Sequence, residues 1–159
     1  MTKMHLGNNI SYDPEEKGYI MFDLTSFIPK QSSLVINGTE LFPKNEYHAS
    51  LVAMERYIEN KEEAIKIAVL IKEYLETHEL RFIELGKARY VCNRDTRMTL
   101  VAPVTIEGIE EFKAFVGTLI PHYDPPFSHI TLLKSKATEF GIGINSMNDL
   151  DQYCTLLEN

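Results

Sequence analysis

Long apolar runs, paired cysteines and the common metal and nucleotide motifs are all missing from this chain. No apolar run approaches the roughly 20 residues that a membrane-spanning helix needs, so no spanning helix and no membrane partner are expected. The opening Met1-Thr2-Lys3-Met4-His5-Leu6-Gly7 lacks the apolar core of a secretory signal, and a cytoplasmic protein is expected. Two cysteines occur, Cys92 and Cys154, far apart and without a C-x-x-C pair. In a reducing cytosol they read as small core hydrophobes rather than as a disulfide. Asn37-Gly38-Thr39 matches a glycosylation sequon but, without a secretory signal, reads as a tight turn. H-E-x-x-H, a clustered Cys/His set, a P-loop and G-x-G-x-x-G are absent. Neither a metal nor a cofactor is expected. Gly141-Ile142-Gly143 is too short to count as a nucleotide loop and reads as close backbone packing.

Positive charge is also scarce. Sixteen Lys and Arg stand against 23 Asp and Glu, a net charge of −7. Tight binding to long RNA or DNA rests mainly on neutralising phosphates with cations. A small nucleotide needs only a few placed donors, so it is the favoured partner and long nucleic acid is not expected.

What the chain does contain is one α+β domain's worth of alternating strands and helices. The 159 residues are 44% hydrophobic and 25% charged, as in an ordinary globular protein. Residues 1–18 are polar and turn-rich, a flexible arm or a loop that folds over a site. Tyr19 to Leu24 reads as a strand. Asn37-Gly38 between apolar runs signals a hairpin, and a strand from about Glu46 to Met54 follows. Ala64, Ile67, Ala68, Ile71 and Leu75 recur at helical spacing and predict a helix over Lys61 to Thr77 with Asn60 as N-cap. Two strand-like runs, Arg81–Cys92 and Arg97–Val104, join through the polar tip at 93–96. A second helix is expected over Gly108–Ile120, stopped by Pro121. After a proline-rich loop comes another strand, then a short strand around Phe140–Ile144. A last helix, capped by Ser146 and Asp149, bears Leu150, Tyr153, Cys154 and Leu157. The tight turns favour antiparallel pairing.

One pattern occurs twice. Tyr47-His48-Ala49-Ser50-Leu51 and Ser128-His129-Ile130-Thr131-Leu132 each place a histidine, an apolar residue, a hydroxyl residue and an apolar residue in a strand. Alternate strand side chains share a face, so His48 joins Ser50 and His129 joins Thr131, with the apolar residues behind them. A single copy is usually structural; two copies in different halves of the chain point to chemistry. Two imidazoles and two hydroxyls suit metal-free phosphodiester cleavage: one neutral imidazole takes a proton and one protonated imidazole gives one.

These paired H-x-[ST]-apolar motifs resemble the 2H phosphoesterase superfamily, which includes RNA 2′,3′-cyclic phosphodiesterases and 2′-5′ ligase-like proteins. The resemblance runs from about Tyr19 through most of the chain. It implies two pseudo-symmetric lobes of antiparallel sheet plus helices around a central cleft, with His48 and His129 catalytic and Ser50 and Thr131 gripping the phosphate. In size and motifs the chain is similar to small phage-encoded members, the anti-CBASS nucleases, which degrade cyclic nucleotide messengers of antiphage signalling. Such a chain would act in the host cytoplasm on a cyclic nucleotide or cyclic oligonucleotide. An RNA 2′,3′-cyclic or 2′-5′ phosphodiesterase is the alternative enzyme, and a nucleotide-sequestering binder is the non-catalytic alternative.

Four further residues are substrate-binding candidates. Arg89 and Tyr90 sit in a basic cluster with Lys87, Arg94 and Arg97, where an aromatic can stack a base while a cation meets phosphate. The plainer account of that cluster is a solvated hairpin. Lys134 lies just beyond the second motif, and Tyr12 of the arm is placed to close over a base.

Overall fold

In the computed structural model, residues 3–15, 18–136, 142, 144 and 147–157 are described. The chain forms β1 (Met4–Gly7), β2 (Ile10–Tyr12), β3 (Tyr19–Asp23), β4 (Leu34–Ile36), β5 (Thr39–Pro43), β6 (His48–Ala53), α1 (Met54–Tyr57) and α2 (Lys61–Thr77). It continues through β7 (Arg81–Leu85), β8 (Tyr90–Arg94), β9 (Arg97–Glu107), α3 (Ile109–Leu119), β10 (His129–Ser135), α4 (Met147–Tyr153) and β11 (Cys154–Leu156). Every strand pair is antiparallel, and the α+β class holds. One sheet has the order β1-β2-β3-β6; the other runs β11-β8-β9-β10-β5-β4, with β7 on the far half of β9. Among the described residues no helix is long and apolar enough to cross a membrane.

Local signals place several elements as expected. The Asn60 side chain accepts from the Glu63 amide at 3.0 Å and opens α2, whose Ala64, Ala68, Ile71 and Leu75 are buried. Asn37 and Gly38 both take positive φ (49° and 79°), the two-residue turn that suits strand twist between β4 and β5. Gly108, at φ 87°, turns the end of β9 straight into α3, and a Cβ there would meet the Glu79 carbonyl. Ile120 closes α3 just before Pro121.

A single large core joins both sheets to both long helices. Ile20 and Phe22 of β3, Ala49 and Leu51 of β6, Ala102 of β9 and Ile130 and Leu132 of β10 pack with Ile71 of α2 and with Phe112 and Val116 of α3. Each large apolar side chain buried this way contributes about 1.5–3 kcal/mol.

Four expectations are corrected. Residues 4–12 are no arm or lid; they form the β1–β2 hairpin, with Leu6, Ile10 and Tyr12 in the core and Asn9 at positive φ in its turn. The run Arg81–Cys92 is two strands. Gly86 donates to the Pro103 carbonyl at 2.8 Å, where β9 changes partner from β8 to β7; a proline lacks an amide for the ladder, and a Cβ on Gly86 would crowd its ring. The last helix ends at Tyr153, and Cys154 belongs to β11. Finally, Cys92 and Cys154 are disulfide-bonded, because the β11–β8 register sets them directly opposite each other. Ser146 of the expected cap lies outside the described residues. So do Phe140, Gly141 and Gly143; Ile142 and Ile144 are buried and are not strand.

Candidate functional site

Both motif strands turn the same side toward the core. Ala49 and Leu51 on β6, and Ile130 and Leu132 on β10, enter the same core, so the opposite face of each strand carries His48 with Ser50 and His129 with Thr131. The strands β6 and β10 lie alongside one another. Each is irregular at the same place. The β3–β6 register skips Leu51, just after Ser50, and the β9–β10 register skips Leu132, just after Thr131. A bulge of this kind bends a strand and re-aims the side chains beside it.

The two imidazoles are held by the residue two positions earlier in each motif. The His48 Nε2–H donates to the Glu46 carboxylate at 2.9 Å, and the partner is exposed. Its Nδ1 is buried and has no partner among the described residues, an unmet polar atom of the kind that costs about 1–3 kcal/mol until something satisfies it. Opposite His48 on β3 stands Asp23. Burial pushes the Asp23 carboxyl up, but hydrogen bonds from the Thr25 hydroxyl (2.6 Å) and amide (3.0 Å), with the charges of His48 and Lys3, bring it below the usual range.

His129 is buried instead. Its Nδ1–H donates to the Phe127 carbonyl at 2.8 Å, since a carbonyl can only accept, and the Nε2 lone pair is left for other work. The ring stacks on Phe127 at 4.5 Å between centroids, and Tyr90 meets Phe127 edge-on at 6.0 Å. Burial lowers the His129 pKa from its ordinary value against the opposing pull of the Phe127 carbonyl.

The other candidates divide. Tyr12 pairs with Ile20 on the core face of β3 and is 2% exposed, so it cannot close over a base; burial and the charges of Glu55 and Asp13 raise its hydroxyl pKa. The Arg89 guanidinium donates to the carbonyls of Gly86 (2.6 Å) and Ala88 (2.9 Å), so it braces its own turn rather than facing a ligand. Tyr90 is opposite Val101, which is opposite Thr131, and cross-strand neighbours share a face. Lys134 shares that face too, through its partner Thr99. Among the described residues no group of His, Cys, Asp or Glu could hold a metal ion.

Sequence reasoning missed Tyr123 and Tyr57. The Tyr123 hydroxyl donates to the Leu51 carbonyl at 2.9 Å, tying the loop before the second motif to the bulge of the first. Tyr57 packs edge-on against Tyr123, and its hydroxyl both donates to the Asp124 carbonyl and accepts from its amide, each at 3.0 Å. Burial, with Tyr57 and Asp124 nearby, pushes the Tyr123 pKa far up, so this tie stays uncharged. Only the tyrosines themselves were visible in the sequence; their partners are set by the fold. No family model, curated protein or solved structure matches this chain.

Proposed function

We propose that this chain is a metal-independent 2H-type phosphodiesterase that cleaves small cyclic nucleotides or cyclic oligonucleotides with two histidines. The observation that carries the reading is the repeated strand: two histidine–hydroxyl pairs on the faces of neighbouring strands that turn away from the main core, each followed by a bulge at the next leucine. On this reading the two sheets are the cores of two pseudo-symmetric lobes, and the motif faces line the cleft between them.

The hydrogen bonds support a division of roles. His129 is the base, because the Phe127 carbonyl fixes its proton on Nδ1 and burial favours the neutral ring. It takes the proton of a ribose 2′-hydroxyl beside the scissile linkage. That oxygen bonds to phosphorus, the bond to the 5′ oxygen breaks, and His48, exchanging the exposed Glu46 carboxylate for the substrate, gives its Nε2 proton to the leaving oxygen. The product carries a 2′,3′-cyclic phosphate. Its hydrolysis runs the exchange in reverse: His48 takes a proton from water, and His129 returns one to the 2′ oxygen. Ser50 and Thr131 donate to the non-bridging oxygens as charge shifts onto them. The net charge of −7 favours a small substrate over a polymer, and degradation of antiphage messengers is the cellular role that the resemblance suggests.

The test is a mass-spectrometric cleavage panel in EDTA with 3′,3′-cyclic dinucleotides and a 2′,3′-cyclic mononucleotide. Cleavage of the dinucleotides, lost in a His48→Ala, His129→Ala double variant, is the expected result. Cleavage of the mononucleotide alone would make this an RNA-end enzyme. Binding without turnover would make it a sequestering protein.

A further inference from the structure

Bulges and registers carry the two motif faces beyond the histidines to a second place. On β3 the side chains of Asp23, Met21 and Tyr19 stand opposite His48, Ser50 and Ala53, so Tyr19 and Ala53 share the outward face of the first motif. On β8, Arg94 shares the face of Cys92 and Tyr90, and that is the face of Thr131. A cavity of about 430 Å³ opens where these two faces meet. Tyr19 and Ala53 form one wall, Glu55 and Arg56 of α1 the next, and Arg94 with Asp149 and Tyr153 of α4 complete it. Tyr19 is two residues from Met21, the partner of Ser50, so the cavity begins roughly 7 Å along the strand from the first motif.

The lining favours one kind of occupant. Two guanidiniums and two carboxylates balance in charge, which does not suit a bare phosphate. They do suit a flat heterocycle whose edge carries both donors and acceptors. The Arg94 guanidinium already lies over the Tyr153 ring, 4.8 Å from its centroid, an arrangement that stacks a base equally well. Arg56 stands 3.6 Å from Asp149, longer than a charge-assisted hydrogen bond, so its donors are not tightly held. A separate aromatic pair, Phe127 and Tyr90, sits beside His129.

We infer that this cavity receives the base of a second nucleotide, so that the site is built for an internucleotide linkage with a base on each side. The inference rests on the phosphodiesterase reading for its catalysis but not for its binding. Two measurements separate them. The first is calorimetric binding of 3′,3′-cyclic di-AMP to His48→Ala protein, which prevents turnover, with and without Arg94→Ala or Tyr153→Leu. Arg94 is exposed at a hairpin tip, so its truncation spares the core. Each added substitution is expected to weaken binding at least tenfold. The second is the ratio of kcat/KM for 3′,3′-cyclic di-AMP to that for 2′,3′-cyclic AMP in otherwise intact protein, which is expected to fall at least tenfold in Arg94→Ala. Unchanged dinucleotide binding, or an unchanged ratio, would overturn the second base site. Binding that depends on Arg94 with no turnover by the wild type would keep the subsite and remove the catalytic reading.

Discussion

The two motif strands have the same four-residue pattern and opposite surroundings. On β6, the edge of its sheet, His48 is half-buried and bonded to the exposed carboxylate of Glu46. On β10, inside its sheet, His129 is buried, stacked on Phe127 and bonded to the Phe127 carbonyl. In both cases the partner is the residue two positions before the histidine. A carboxylate there provides a counter-charge for an imidazolium; a backbone carbonyl orients a neutral ring. The repeat supplies two copies of one device, and on the proposed reading the residue two positions back makes one an acid and the other a base.

Removing either member should have the largest effect. His48→Ala and His129→Ala are each expected to cost about 10²- to 10⁴-fold in kcat, and the double variant little more, since the pair acts as a unit. Additive losses measured in the same assay would break the pairing.

The second difference is cover. The β10 side carries a small second core of Cys92, Val101, Ile142, Ile144 and Leu150, stapled by the Cys92–Cys154 disulfide across a sequence separation of 62. A cross-link closing that much chain stabilises by about 4 kcal/mol in the chain-entropy account. Denaturant unfolding of Cys92→Ser, Cys154→Ser should show most of that loss, and equal stability would remove the staple from the account.

Smaller effects sharpen the contrast at the histidines. Glu46 is an exposed partner, worth about 0.2–1 kcal/mol, so Glu46→Gln should lower kcat about two- to fivefold, with less effect at high salt. A hundredfold loss would mean a larger role for Glu46. Because burial lowers the His129 pKa, the acid limb of the pH–rate profile should have its midpoint below the ordinary histidine value of about 6.5. The same shift sets a stability window. Between the folded value and about 6.5 the unfolded chain binds the proton first, so stability present above that window is lost as pH falls through it. His129→Gln should flatten this part of the unfolding profile; an unchanged slope would contradict the assignment.

What could be read in advance was local. Asn60 and the Ala64–Leu75 stripe bounded α2, Asn37-Gly38 marked the hairpin, and strict alternation put His48 with Ser50 and His129 with Thr131. What escaped depends on partners far away in the chain. Tyr12 looked like an exposed arm residue until β1 and β2 found β3. Cys92 and Cys154 became a disulfide only through the β8–β11 register, and Gly86 broke a strand because Pro103 lies against it. The matching bulges at Leu51 and Leu132 are also products of pairing, invisible in either strand alone.

The division of labour between the histidines is tested most directly with two uridine 3′-phosphodiesters, one with an alkoxide leaving group and one with p-nitrophenoxide. A good leaving group needs no acid. The account predicts that p-nitrophenoxide restores most of the kcat/KM lost in His48→Ala and little of that lost in His129→Ala. Recovery in His129→Ala instead, or equal recovery in both, would contradict it.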